Sequence, residues 1–157
     1  MKVSTSRFGN IDVDDSAVIT MLGGLIGFPQ QIRYVVIRHN PESPFYWLQA
    51  VDDPDLAFVI VDPLVFKPDY QVPTNKEVLE SLKAASAGDI SFFVIVTIPP
   101  GNPEGMTANL LGPLVFNTQT RLARQLVLDE RRYSHRYPIL SEDPQQKGGA
   151  GEGTNSK

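Results

Sequence analysis

The sequence ISFFVIVTI, residues 90–98, is an almost unbroken run of β-branched and aromatic residues. A short apolar run of this kind is typical of a strand that is covered on both faces. The proline- and glycine-rich loop PPGNPEG, residues 99–105, ends the run immediately. We therefore predict a central strand over residues 90–98 and expect a sheet to organise the 157-residue chain.

Outward from this strand, short β-branched and aromatic segments alternate with turn residues in both directions. Phe8-Gly9-Asn10 predicts an N-terminal hairpin, and the turn at residues 52–55 predicts antiparallel pairing of the strands on either side of it. The fold class that follows is mainly β, a small antiparallel β-barrel-like domain with one short helix. The other predicted strands lie at residues 32–38, 44–51, 56–61, 114–117 and 123–128.

One segment has helical periodicity instead. Thr74 and Glu77 have the spacing of a capping box, and the apolar stripe that follows lies at positions 78, 79 and 82. Gly88 is the expected C-terminal cap. The sequence therefore predicts a helix near residues 75–86 that covers an edge or an open end of the sheet.

The composition changes sharply after residue 140. Residues 141–157, SEDPQQKGGAGEGTNSK, contain a single apolar residue, Ala150. Such a segment buries too little apolar surface to offset the entropy of ordering it. We expect one domain over residues 1–140 and a disordered polar tail over residues 141–157.

Residues suited to catalysis or metal binding are few. The chain has no cysteine, and His39 and His135 form neither a ligand pair nor part of a nucleophile motif. The glycine-rich residues 23–27 lack the spacing of a phosphate-binding loop, so they are interpreted as a tight turn that places Phe28 in the core. We expect no catalytic residues, no cofactor and no metal site.

Charge and hydropathy argue against nucleic acid and membrane as direct partners. The formal net charge is −4, and the only basic segment with interleaved aromatic residues is the short stretch at residues 131–137. The apolar runs are far shorter than the roughly 20 residues that span a bilayer. The polar N-terminus carries no apolar signal segment, so we expect a cytoplasmic protein.

An acidic turn beside an aromatic strand is the candidate partner-binding surface. Asp52, Asp53 and Asp55 cluster on the predicted turn, and Phe45 and Trp47 belong to the strand before it. Aromatic anchors and an acidic edge suit a basic partner. The alternative is that the aromatic residues belong to the core and that the aspartates form a solvated turn.

Asn109 and Asn117 border a segment rich in leucine, proline and valine. Asparagine at such positions is typical of backbone capping, because the side-chain amide satisfies the polar groups of a turn. Capping is therefore the first interpretation of both residues. A partner contact, above all for Asn109, is the second.

Several motifs of the chain, taken in order, resemble those of the bacterial flagellar assembly factor FliW family. The longest is TANLLGPLVFN, residues 107–117, and the resemblance extends from near the start of the chain to residue 140. The other matching motifs are residues 24–28, 43–45, 48–51, 56–58, 62–63, 94–97 and 125–128, with Arg121, Tyr133 and Arg136.

The resemblance implies a protein–protein switch. Members of the family bind CsrA, an RNA-binding dimer that represses flagellin translation, and they also bind flagellin as the alternative partner. The implied protein is a small barrel, monomeric when free, that couples flagellin synthesis to export. A barrel that binds single-stranded nucleic acid or a small ligand directly is the alternative from another functional class.

Overall fold

The computed structural model describes residues 1–140. Their strands are short and agree with most of the predicted segments, and the central predicted strand is the longest. The strands are β1 (Lys2–Thr5), β2 (Gly9–Asp12), β3 (Ile19–Met21), β4 (Arg33–Ile37), β5 (Phe45–Ala50), β6 (Ala57–Val61), β7 (Ile90–Thr97), β8 (Thr107–Ala108), β9 (Leu114–Asn117), β10 (Leu122–Gln125) and β11 (Tyr137–Pro138).

Within residues 1–140, seven of these strands close into a barrel in the order β3-β4-β5-β6-β7-β9-β10 and back to β3. The predicted turn at residues 52–55 joins β5 and β6 as antiparallel neighbours, which confirms that prediction. The ring closes through a parallel pair, β10 with β3. The barrel is therefore mainly, but not wholly, antiparallel. Strands β8 and β11 extend the sheet beyond β7, and β1 pairs with β2 alone.

The interior of the barrel is filled by alternate residues of its strands. Phe93 and Ile95 of β7 pack against this inner cluster, whereas Val94 and Val96 belong to a second cluster on the outer face. Strand β7 thus packs apolar side chains on both faces, as predicted. The buried members of the inner cluster are Ile19, Met21, Leu25, Tyr34, Leu48, Ala50, Ile60, Leu114, Phe116 and Ala123.

Three coverings shield the outer face of the barrel wall. The hairpin β1–β2 is joined to the β5–β6 turn by the Ser6 N–H, which donates to the Pro54 carbonyl at 2.9 Å. Residues of the segments 66–72 and 133–139 pack on the β6–β7–β8 wall. The short helix packs with Val115 of β9 and Leu126 just beyond β10. These layers determine which parts of the wall remain accessible.

The helix α1 (Lys76–Ser81) is shorter than the predicted span of residues 75–86. The Thr74–Glu77 capping box is also wrong: Asn75 is the N-cap, and its Oδ1 accepts from the Val78 N–H at 2.9 Å. Gly88 does not end the helix; it lies in a separate 3₁₀ turn at residues 87–89. The helix stops at its C-cap, Leu82, because Lys83 adopts a left-handed conformation, φ 54°.

The glycine-rich residues 23–27 form a tight turn, but the predicted burial of Phe28 is wrong. Phe28 is 39% exposed, and the core residue of the turn is Leu25, which is 2% exposed. Gly24 is required here, because φ is +70° and an added Cβ would lie 2.6 Å from the Pro29 Cα. The backbone of residue 29 therefore crosses directly over the turn, and Phe28 remains near its surface.

Candidate functional site

The acidic turn between β5 and β6 is built around Gln49. The Gln49 side chain is fully buried, and its Nε2 lies within 3.0–3.3 Å of the carbonyl oxygens of Ala50, Asp53, Pro54 and Leu56. Its Oε1 is buried without a hydrogen-bond partner among residues 1–140. The buried Gln49 amide therefore holds the backbone of the turn from inside, and the carboxylates of the turn lie at the surface.

The three aspartates of the turn have different surroundings. Asp52 pairs with Arg33 of β4, with 2.6 Å between Oδ1 and Nη2, and this hydrogen bond lowers the pKa of Asp52. Asp53 accepts from the Asp55 N–H at 3.1 Å. Asp55 in turn accepts from the Ser6 hydroxyl of the N-terminal hairpin. The negative charge of Asp52 is therefore neutralised within the chain by Arg33, which leaves Asp53 and Asp55 as the acidic groups of the turn without an ion pair among residues 1–140.

Phe45 and Trp47 project from the outer face of β5, and both are only partly exposed. Phe45 packs against the outer cluster of the β6–β7–β8 wall. The N-terminal hairpin covers Trp47. The Arg7 guanidinium lies 4.1 Å from the Trp47 ring centroid, and the Phe8 ring packs edge-to-face with it, with 5.9 Å between the ring centroids. Both aromatic side chains are therefore largely packed within the fold, which agrees with the interpretation that they belong to the core. Their role as partner contacts stays a prediction.

Asn109 lies far along the sheet from the acidic turn. Its backbone N–H bonds to the carbonyl of Ile95 on β7, and β6 separates β7 from β5. Its side-chain Oδ1 accepts from the N–H groups of Leu111 and Gly112 at 3.1 and 2.9 Å. This geometry confirms the capping role. The structure does not bring Asn109 together with the other predicted site residues.

Asn117 is also a cap, and it is 2% exposed. Its Oδ1 accepts from the N–H groups of Gln119 and Thr120, and its Nδ2 donates to the Leu82 carbonyl at 2.9 Å. One side chain thus closes the β9–β10 turn and ties it to the end of α1. The predicted structural role of Asn117 is confirmed.

A contact that sequence reasoning missed joins three of the distant motifs. The Gln125 Oε1 accepts from the Ile26 N–H at 2.8 Å, and its Nε2 donates to the Gly112 carbonyl at 2.9 Å. The glycine-rich turn, the Asn109 cap and the end of β10 therefore meet at Gln125. The sequence held part of this signal, because Gln125 is the first residue of the motif at residues 125–128. The segments that its side chain contacts are remote in the sequence, so the contact itself could not be recognised.

Two further polar residues, Tyr34 and His39, pack against aromatic rings. Burial raises the pKa of the Tyr34 phenol to about 12, and its hydroxyl has no hydrogen-bond partner among residues 1–140. His39 lies against the Phe8 ring, with 5.1 Å between centroids. Within the same residues, no three or more histidine, aspartate or glutamate side chains are grouped as a metal site requires.

The architecture defines a class of protein: a small closed β-barrel whose outer face is covered by a hairpin, a short helix and two further segments of the chain. Known proteins resemble it in both fold and sequence. A crystal structure of the flagellar assembly factor FliW superposes with a TM-score of 0.81 at 28% identity, covering 90% of this chain and 98% of that one. The family described as "FliW protein" matches residues 2–139.

Individual relatives agree. The flagellar assembly factor FliW of Alkaliphilus metalliredigens is 41% identical over 143 residues, which are 90% of this chain and 88% of the relative. That of Magnetococcus marinus is 37% identical over 140 residues, 89% of this chain and 85% of the relative. The chain belongs to the FliW family of flagellar assembly factors. Within residues 1–140, no helix is long and apolar enough to cross a membrane.

Proposed function

We propose that this protein binds and antagonises the translational regulator CsrA and binds flagellin as an alternative partner. Free flagellin occupies it and leaves CsrA to repress further flagellin synthesis; export of flagellin frees it to capture CsrA. It acts in the cytoplasm as a monomeric binding protein and flagellin chaperone, without catalysis and without contacting RNA itself.

The observation that carries this proposal is the family match, which covers residues 2–139 and therefore the whole barrel. The relatives are named as assembly factors rather than as enzymes. The net charge of −4 also suits a basic, RNA-binding partner, because complementary charge accelerates encounter and orients it.

A gel-shift experiment tests the proposal. Purified protein is added to flagellin leader RNA alone and to a preformed complex of that RNA with CsrA. We expect no shift of the free RNA, loss of the CsrA–RNA shift, and its return when flagellin is added. A direct shift of the free RNA would instead support the nucleic-acid-binding alternative. An unchanged CsrA–RNA shift would contradict CsrA antagonism.

We further propose that the acidic turn contributes to CsrA capture. Asp53 and Asp55 have no ion pair among residues 1–140, whereas Asp52 is held by Arg33. Replacing Asp52, Asp53 and Asp55 together by asparagine preserves their size and turn chemistry and removes three negative charges. If the turn is used, the association rate falls and becomes less dependent on salt.

A matched control removes three negative charges elsewhere. Asp12, Asp14 and Asp15 lie at or just after the end of β2, are exposed, and are replaced by asparagine in the same way. Both variants change the net charge equally, so a general electrostatic effect slows both. A slower association confined to the turn variant places the contact there. Equal rates in the two variants, whether slowed or not, would exclude the turn as a specific site. Phe45 and Trp47, on the strand before the turn, are proposed as anchors for the same partner.

A further inference from the structure

A cavity of about 400 Å³ lies between the glycine-rich turn, the end of α1 and β10, and we call it the Arg124 cavity. Sites for small molecules have volumes of about 300–1,000 Å³, so this cavity is large enough to hold one. The residues that line it include Gly23, Gly27, Ser81, Arg124 and Gln125. The polar groups of these five residues determine which kind of molecule fits.

The cavity has a positive charge without a counter-ion. Arg124 is its one charged lining residue among residues 1–140, and the side chain is partly buried. No carboxylate within those residues lies within ion-pair distance of the guanidinium. Glu77 lines a neighbouring depression that shares Arg124, but it does not line this cavity. Because a partly buried charge is screened less by salt than an exposed one, the cavity favours an anion.

The Arg124 side chain is held in place by the helix. Its Nη1 donates to the Ser81 hydroxyl at 3.0 Å, and this hydroxyl donates in turn to the Val78 carbonyl at 2.8 Å. The Arg124 Nε and Nη2 atoms make no hydrogen bond within residues 1–140. These two nitrogens form one fork of the guanidinium, which matches two oxygens of a phosphate or a carboxylate.

The glycine-rich turn adds backbone donors to the same cavity. Gly23 and Gly27 have φ values of +76° and +91°, and neither N–H makes a hydrogen bond within residues 1–140. A Cβ added at either glycine would meet no atom within 4 Å, so both face open space. Free N–H groups in a turn of this kind form anion-binding concavities. The turn still lacks the glycine spacing of the nucleotide-binding loops.

The Gln125 backbone supplies a further donor. The Leu126 N–H bonds to the Pro113 carbonyl on the β9 side, and backbone groups alternate in direction along a strand. The Gln125 N–H therefore points to the opposite edge, where the chain after β3 has turned away. It makes no hydrogen bond within residues 1–140. The cavity thus combines one guanidinium fork with three unpaired backbone N–H groups.

We propose that the Arg124 cavity binds a phosphate group, either free or as the ester of a small molecule. The guanidinium pairs with two of its oxygens, and the backbone N–H groups of the turn and of Gln125 donate to the others. A phosphate suits this set of donors better than a carboxylate, because it has more acceptor oxygens and more negative charge. The inference is independent of the proposed protein partners.

The test is a titration of the full-length, ¹⁵N-labelled protein followed by NMR. Inorganic phosphate, glycerol 3-phosphate and acetate are the probes, and sodium chloride keeps the ionic strength constant. Arg124→Gln removes the guanidinium, and Arg124→Lys keeps the charge but removes the fork. Arg136→Gln is the matched control, because Arg136 is exposed, has no ion pair within residues 1–140 and does not line the cavity. Each variant is first compared with the parent in melting temperature and spectrum.

We expect phosphate to shift the amide signals of Gly23, Gly27 and Gln125 in a saturable way. The dissociation constant should rise at least tenfold, or by about 1.4 kcal/mol, in Arg124→Gln. It should rise about threefold in Arg124→Lys, because an ammonium is a point charge without the fork. Arg136→Gln should keep the parental constant. Phosphate should also raise the melting temperature of the parent above that in sodium chloride of equal ionic strength.

The probes separate the two sources of phosphate. Equal affinity for inorganic phosphate and glycerol 3-phosphate would assign the cavity to the phosphate group alone, whereas tighter binding of glycerol 3-phosphate would assign it to a phosphate ester. Acetate that binds as tightly as phosphate would overturn the choice of phosphate. Signal shifts that do not saturate, or an Arg124→Gln variant with parental affinity, would overturn the site. If Arg124→Gln does not fold, the parental shift map and Arg124→Lys decide between these results.

Discussion

Replacing Asn117 by alanine tests whether this residue is a structural cap. Its side chain makes three hydrogen bonds: Nδ2 to the Leu82 carbonyl, and Oδ1 from the N–H groups of Gln119 and Thr120. A typical hydrogen bond contributes about 1 kcal/mol to stability, so the three together contribute about 3 kcal/mol. For a domain of this size, each kcal/mol shifts the melting temperature by about 3 °C, so we expect a decrease of about 10 °C.

The assay is urea unfolding followed by Trp47 fluorescence and circular dichroism, with calorimetry for the melting temperature. Thr120→Val is the matched control, because the Thr120 hydroxyl also donates to the Leu82 carbonyl, at 2.9 Å, and only this bond and a longer one are lost. It should cost about 1 kcal/mol.

The double variant sharpens the test. With Asn117 and Thr120 both replaced, the Leu82 carbonyl loses both of its side-chain donors, so the combined loss should exceed the sum of the single losses. A loss below about 1 kcal/mol for Asn117→Ala would refute the capping argument. Unchanged stability together with lost partner binding would reassign Asn117 to the interface.

Three further predictions follow from single residues or segments. Tyr34→Phe removes a buried hydroxyl without a hydrogen-bond partner, so the free energy of unfolding should stay the same or rise. Tyr70→Phe should lower the free energy of unfolding by about 1–2 kcal/mol, because the Tyr70 hydroxyl donates to the Leu110 carbonyl at 2.6 Å. Equal losses for the two variants in urea unfolding would contradict this. Asp52→Asn should lower stability by less than about 1 kcal/mol at neutral pH. Since the pKa of Asp52 is lowered below 3.8 in the fold, its contribution is present above that pH and disappears as the pH falls through the lowered value; a difference from the parent that persists in stronger acid would refute this pairing. Deleting residues 141–157 should change neither the melting temperature nor CsrA binding, because this segment has almost no apolar surface to bury, and a decrease in either would show that it docks.

Some elements of the fold were missing from the sequence prediction. Strand β3 is three residues long, and β8 and β11 have two residues each, which is too short for an alternating pattern to be recognised. Their positions depend on partners remote in sequence: β3 pairs with β10, and β8 pairs with β7 and β11. The parallel pairing of β10 with β3, which closes the barrel, therefore could not be recognised from any local sequence pattern.

The helix shows how a correct local pattern gives wrong boundaries. The apolar residues at positions 78, 79 and 82 do pack against the sheet, as their spacing predicted. Either Thr74 or Asn75 is an acceptable cap, so composition alone does not choose between them. In the structure Asn75 caps the helix by accepting from the Val78 N–H, and the left-handed conformation of Lys83 stops it after the C-cap Leu82.

The sequence by itself determined the fold class, the central strand, the β5–β6 turn and the family, because each depends on local composition or on the order of motifs along the chain. Only the tertiary structure decided which side chains meet. It pairs Asp52 with Arg33, covers Trp47 with Arg7, and joins Gln125 to the glycine-rich turn. The pairing of β4 with β5 brings Arg33 to Asp52, the packing of the N-terminal hairpin on β5 brings Arg7 to Trp47, and barrel closure brings Gln125 to the glycine-rich turn; no local pattern specifies these contacts.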